Sequence, residues 1–95
     1  MNIMQYQSLK IVRKPEIKLI TGLSTTSQFE HIREGLLPRY INLGSRSVGL
    51  FEHECQTILA ARAAGKSDDD LKLIVKALIK QREQSANNLL KHLTA

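Results

Sequence analysis

The side chains able to carry catalysis or hold a metal ion are three histidines, one cysteine and nine carboxylates. Their spacing supports neither. His53 and Cys55 stand two positions apart in a segment of helical periodicity, so they point about 200° away from each other and cannot share a metal ion. The pair also lacks a third group to orient it for nucleophilic chemistry. Cys55 reads as a small apolar core residue, and His92 falls in the C-terminal segment. No C-x-x-C, H-E-x-x-H or glycine-rich phosphate loop occurs. The sequence is read as non-enzymatic, with no metal and no cofactor.

A different chemistry is concentrated in one short stretch. Thr25, Thr26, Ser27, Gln28, Glu30, His31 and Arg33 are all hydrogen-bonding residues. Hydroxyls donate to phosphates or bases, an amide pairs with adenine, a carboxylate accepts from a cytosine amino group, and a guanidinium neutralises backbone charge. Glu16 to Arg33 reads as two short helices and a turn, with Ile17, Leu19 and Ile20 as the apolar side of the first. Thr21-Gly22-Leu23-Ser24 forms the corner: Gly22 takes the positive φ that ends one helix and Ser24 caps the next. Phe29 and Ile32, three apart, are expected to face inward. That orientation puts Thr26, Ser27, Glu30, His31 and Glu34 outward, Thr25 near the buried edge and Gln28 on the flank, within reach of adenine. Arg33 lies at the helix end, near the backbone. A helix-turn-helix with glycine in its corner is a motif that places a helix in the DNA major groove.

The neighbouring elements follow in order. Arg13-Lys14-Pro15-Glu16 starts the first helix, with proline and an acidic residue suited to its first turn. Leu9, Ile11 and Val12 form an extended segment on the core, preceded by a loose arm over residues 1–8. Gly35 ends the second helix and Pro38 prevents its continuation. Tyr40, Ile41 and Leu43, then Gly44-Ser45-Arg46, then Val48 and Leu50, spell a short β-hairpin. Its tip presents Ser45, Arg46 and Ser47 for a minor groove or a phosphate. Arg39 at its base, with Lys14 and Lys18 on the first helix, is placed for the DNA backbone. Glu52 to Ala64 is a third helix carrying Cys55, Ile58, Leu59 and Arg62 at helical spacing. Ser67 caps a fourth, with Leu71, Ile74, Val75, Leu78 and Ile79 in its stripe. The pattern weakens beyond residue 80, and residues 85–95 are expected to fray.

The fold class implied is mainly α with a small β-hairpin, a winged helix-turn-helix plus a C-terminal helix. The division is a DNA-binding unit over 9–66 and a helical extension over 67–95 that packs on the domain or mediates association. Charge follows that division. Residues 1–66 hold nine basic and five acidic side chains, a net of +4, and residues 67–95 hold five and four, a net of +1, out of +5 for the chain. A basic field attracts a polyanion. The sequence lacks a run of ~18 apolar residues that would span a membrane and a signal-peptide pattern at its start. Its lone cysteine fits a reducing compartment, so a cytoplasmic, nucleoid-associated protein is expected.

Several phrases together resemble the AlpA-like phage and prophage regulators, which group with excisionase and MerR-type winged helices. They are Thr21-Gly22-Leu23-Ser24 followed by Phe29 and Ile32; Glu34-Gly35-Leu36-Leu37-Pro38; Ile41-Asn42-Leu43-Gly44-Ser45-Arg46-Ser47-Val48-Gly49; and Phe51-Glu52-His53-Glu54 opening a helix that closes at Ala60-Ala61-Arg62-Ala63-Ala64-Gly65-Lys66-Ser67-Asp68. The likeness covers roughly residues 9–82. Phe29, Leu50 and Thr25 stand where that group usually has Tyr, Trp and Arg. The resemblance implies a regulator of prophage integration or excision genes that binds double-stranded DNA. The alternatives are an architectural excision factor that bends DNA for a phage recombinase, and a protein-interaction inhibitor. A homodimer or a tandem oligomer on DNA fits either DNA-binding reading.

Overall fold

The computed structural model of the chain describes residues 9–94, and the arm expected over residues 1–8 lies outside them. The elements run β1 (Ile11–Val12), α1 (Lys14–Thr21), α2 (Thr25–Arg33), β2 (Ile41–Asn42), β3 (Val48–Phe51), α3 (Glu52–Ala63) and α4 (Asp68–Thr94). The architecture is a winged helix-turn-helix followed by a long C-terminal helix, mainly α with a small antiparallel sheet.

Pro15 sits in the first turn of α1, and the Arg13 backbone N–H donates to Glu16 Oε1 at 3.4 Å. Gly22, at φ 78°, ends the helix with its N–H on the Lys18 carbonyl. Ile17 is fully buried and Ile20 packs beside the core, but Leu19 is 85% exposed. The expected apolar side of α1 is thus corrected: Leu19 lies two positions from Ile17, on the opposite side of the helix. In α2 the Ser24 hydroxyl accepts from the Ser27 N–H, as an N-cap does.

The sheet has the order β1-β3-β2. The hairpin pairs Ile41 with Gly49 and Asn42 with Val48. On the other side of β3, Ile11 pairs with Phe51 and Val12 with Leu50, so the segment before α1 is a third strand. Gly49 is required there. A Cβ on it would lie 2.6 Å from the Val12 carbonyl oxygen and 2.8 Å from Ile11 Cγ2.

One core joins all of this. Val12, Ile17, Leu36, Leu37, Leu50, Cys55, Ile58, Leu71, Val75 and Leu78 form a single buried cluster. Complete burial of a side chain such as Ile17, Leu37, Leu50, Ile58 or Leu71 contributes about 1.5–3 kcal/mol. The buried face of α3 runs through Glu54, Cys55, Ile58 and Ala61, while Leu59 is exposed. Ser67 Oγ accepts from the Asp70 N–H at 3.2 Å and caps α4. That helix spans 27 residues, on the order of 40 Å. It is continuous to Thr94 rather than fraying from residue 85, with Leu89, Leu90 and Leu93 on its exposed surface.

Candidate nucleic-acid interface

The turn and cap orient α2 differently from the hydrophobic pattern. Gln28, not Phe29, is the residue at the centre of its buried face. Gln28 has 0% exposure and Phe29 has 51%. The Gln28 amide donates to the Leu23 carbonyl at 2.9 Å and to the Lys14 carbonyl at 3.2 Å, and its oxygen accepts from the Tyr40 hydroxyl at 2.8 Å. A buried amide is tolerable when its hydrogen bonds are made. This one joins α1, the turn, α2 and the approach to the wing. The expectation that Gln28 reaches adenine is therefore overturned, because the amide is consumed inside the protein. Burial raises the Tyr40 phenol above its ordinary pKa, and its hydroxyl is the donor to Gln28.

With Gln28 and Ile32 on one side, the exposed face of α2 carries Thr25, Thr26, Phe29, Glu30 and Arg33. Thr25 is exposed rather than near a buried edge. Ser27 is half-buried, and its hydroxyl accepts from Ser24 Oγ at 3.1 Å. His31 is also half-buried instead of facing outward. Its Nδ1 lies 3.3 Å from an Arg62 Nη2 on α3.

Phe29 packs edge-on against Tyr40, with ring centroids 5.4 Å apart at 84°. Lys14 Nζ lies over both rings, 4.9 Å from the Phe29 centroid and 5.5 Å from that of Tyr40. Cation–π contact of this kind holds an otherwise flexible ammonium in place. Lys14 thereby connects the exposed face of α2 to the start of α1.

The wing completes the surface. Ser47 N–H donates to the Gly44 carbonyl at 2.7 Å, closing a turn whose central residues Ser45 and Arg46 both have positive φ, 30° and 67°. Asn42 Oδ1 accepts from the Gly44 N–H and fixes the turn's entry. Primed turns of this kind match the twist of a hairpin but normally use Asn-Gly. Here they display Ser45 and Arg46 at an exposed tip, with Ser47 half-buried behind them. Arg13 Nε donates to the Val48 carbonyl at 3.1 Å, tying the entry of α1 to the wing. Arg13, Lys14 and Arg46 meet around an open cavity of about 160 Å³, with Pro15 and Val48 completing its walls. Lys18 and Arg39 are exposed outside it. Sequence reasoning missed Arg13 and Phe29. The adjacency of Arg13 to Lys14 was a signal for the first, and the four-residue spacing of Gln28 and Ile32 was one for the second.

Cys55 and His53 lie away from this surface, on α3. Cys55 is fully buried, and desolvation pushes its thiol pKa up to about 12. His53 is half-buried and stacks on Phe51 at 5.5 Å. Among the described residues no cluster of His, Cys, Asp and Glu could hold a metal ion, and no helix is long and apolar enough to cross a membrane.

Residues 10–62 match the family model of the prophage CP4-57 regulatory protein, AlpA. The chain belongs to the AlpA family. Over 57 residues it is 33% identical to the uncharacterized protein ORF88 of Enterobacteria phage P4, an alignment covering 60% of this chain and 65% of that protein. The chain thus spans just under two thirds of that relative's length. No solved structure matches it. The AlpA segment contains Arg13, Lys14, the turn, all of α2 and the wing, and α3 as far as Arg62. Helix α4 lies outside it. The description of that family model is of a prophage regulatory protein.

Proposed function

We propose that this AlpA-family protein is a sequence-specific double-stranded DNA-binding regulator of prophage integration or excision genes. The observation that carries the reading is the continuity from α2 to the wing through Lys14, which touches Phe29 on one side and shares a cavity with Arg46 on the other. A helix entering the major groove presents its N-terminal residues to base edges. In α2 those are Thr25 and Thr26, with Ser27 partly withdrawn, followed by Phe29, Glu30 and Arg33. Phe29 offers an apolar contact to a thymine methyl, and Glu30 accepts from a cytosine amino group. Lys14, Lys18 and Arg39 neutralise phosphates, and Ser45, Arg46 and Ser47 carry the wing onto the adjacent backbone. Binding is an equilibrium event, driven by counterion release and sharpened by base contacts.

The test is selection of bound duplexes from a random pool at two salt concentrations. A motif retained at the higher salt is the expected result, and its symmetry reports whether one copy or two bind. Binding that vanishes with salt and enriches no motif rejects sequence-specific regulation.

A further inference from the structure

The cavity between α1 and the wing is lined mostly by cationic residues. Three of its five lining residues are cations: Arg13, Lys14 and Arg46. Its volume of about 160 Å³ far exceeds the roughly 10–15 Å³ that one water requires. Each cation is positioned by a separate device. Arg13 spends its Nε on the Val48 carbonyl, leaving both terminal amino groups for a ligand. Lys14 is held against the Phe29 and Tyr40 rings. Arg46 occupies the second central position of the turn at φ 67°, a conformation that is costly for a residue with a Cβ and that such turns usually give to glycine. Backbone strain kept at a charged tip is a pointer to use. Glu16 is the nearby carboxylate on the same turn of helix. It accepts from the Arg13 backbone N–H and is not part of the cavity wall.

We propose that this cavity is an anion pocket that takes a single backbone phosphate of duplex DNA, gripped jointly by Arg13 and Arg46 with Lys14 beside them. The pocket rests on the reading of the protein as a DNA-binding regulator and adds a specific register to it. Arginine presents a planar fork that matches phosphate oxygens. Two such forks from different elements clamp one phosphate only when α1 and the wing straddle the same strand. The shared phosphate then fixes where the wing lies relative to α2, without reading sequence itself.

The distinguishing property is sharing. The affinity of Arg13→Gln, Arg46→Gly and the double variant for a short random-sequence duplex is measured as a function of salt, where each phosphate contact contributes about 0.9 to the log–log slope. Each single variant is expected to weaken binding while lowering the slope by less than one contact, because the other arginine still covers the shared phosphate. The double variant is expected to lower it by no more than one contact in total. Arg46→Gly also relieves the strained φ, so its thermal midpoint is expected to hold or rise while its affinity falls, which separates binding from folding. A double variant that loses two contacts from the slope means two separate phosphates and overturns the pocket, as does a double variant whose affinity and slope match wild type. A wild-type chain that binds no duplex at low salt rejects the parent reading and the DNA pocket together. Tight saturation by inorganic phosphate, with duplex slopes unaffected by either substitution, assigns the cavity to a free anion and overturns the DNA assignment alone.

Discussion

Arg82 grips Glu54 through two hydrogen bonds of 2.7 Å, across 28 positions of sequence. Glu54 has 0% side-chain exposure and Arg82 13%, so the pair is largely desolvated. Glu54 Oε1 also accepts from the Phe51 N–H at the start of α3. This is a polar link between the family segment and α4. Removing one partner of such a pair strands a buried charge at a cost of about 3–5 kcal/mol, whereas replacing both with apolar groups is often nearly neutral. Arg82→Met is expected to lower the unfolding free energy by that amount, and Glu54→Leu with Arg82→Met to recover most of it. Denaturant unfolding of both singles and the double measures the coupling. A single Arg82→Met within ~1 kcal/mol of wild type refutes the account.

Gln28 is expected to act on stability rather than on base choice. Gln28→Leu keeps approximate volume but leaves the Lys14 and Leu23 carbonyls and the Tyr40 hydroxyl without their partner. The expected cost is about 1–3 kcal/mol for the stranded groups. Preference among DNA sequences is expected to stay as in wild type. A relaxed preference with unchanged urea midpoint would place the amide on the DNA after all.

His53 sets a pH response. Burial lowers its pKa from 6.5, with the Glu54 charge opposing and the Arg82 charge adding to the shift. Its Nδ1 is buried without a hydrogen-bond partner. In the window between the folded and unfolded pKa values the unfolded chain binds the extra proton, so stability falls as pH drops below about 6.5. His53→Gln is expected to show a shallower loss over that window. Parallel stability–pH curves for the two proteins would remove His53 as the cause.

Cys55 is expected to be a silent thiol in the native state. With full burial and a pKa pushed to about 12, it offers no thiolate for attack at neutral pH. Its reaction with an aromatic disulfide reagent is expected to begin only across the denaturant range where helical circular dichroism is lost. Fast labelling in buffer alone would show a local opening of α3 that its packing does not predict.

The parts of the fold that were legible in the sequence are those set by local backbone chemistry. Gly22, Ser24, Gly35 and Ser67 mark real helix ends because a positive φ or a side-chain cap is decided within a few residues. The hairpin around Gly44-Ser45-Arg46 was legible for the same reason. The facing of α2 was not. Hydrophobicity ranks Phe29 above Gln28 for burial, and only three hydrogen-bond partners brought in from other elements reverse that order. The Glu54–Arg82 clamp had no local trace for a similar reason, since each residue taken alone resembles a surface charge. On the candidate site, the sequence marked Lys14 and Arg46 separately. Their convergence with Arg13 depends on β1 pairing with β3, which no short-range pattern encodes.

Gly49 gives the wing an inheritance of its own. The backbone of Val12 fills the space where a side chain would stand, so the seam at the wing's root cannot be repadded or loosened by substitution. Ser45 and Arg46, exposed at the tip, lie outside that seam. Root and tip are thus separable in engineering: the first is a socket of fixed gauge, the second an exchangeable bit. Transplanting residues 44–47 from one relative to another should carry a wing's contacts along while leaving the scaffold untouched.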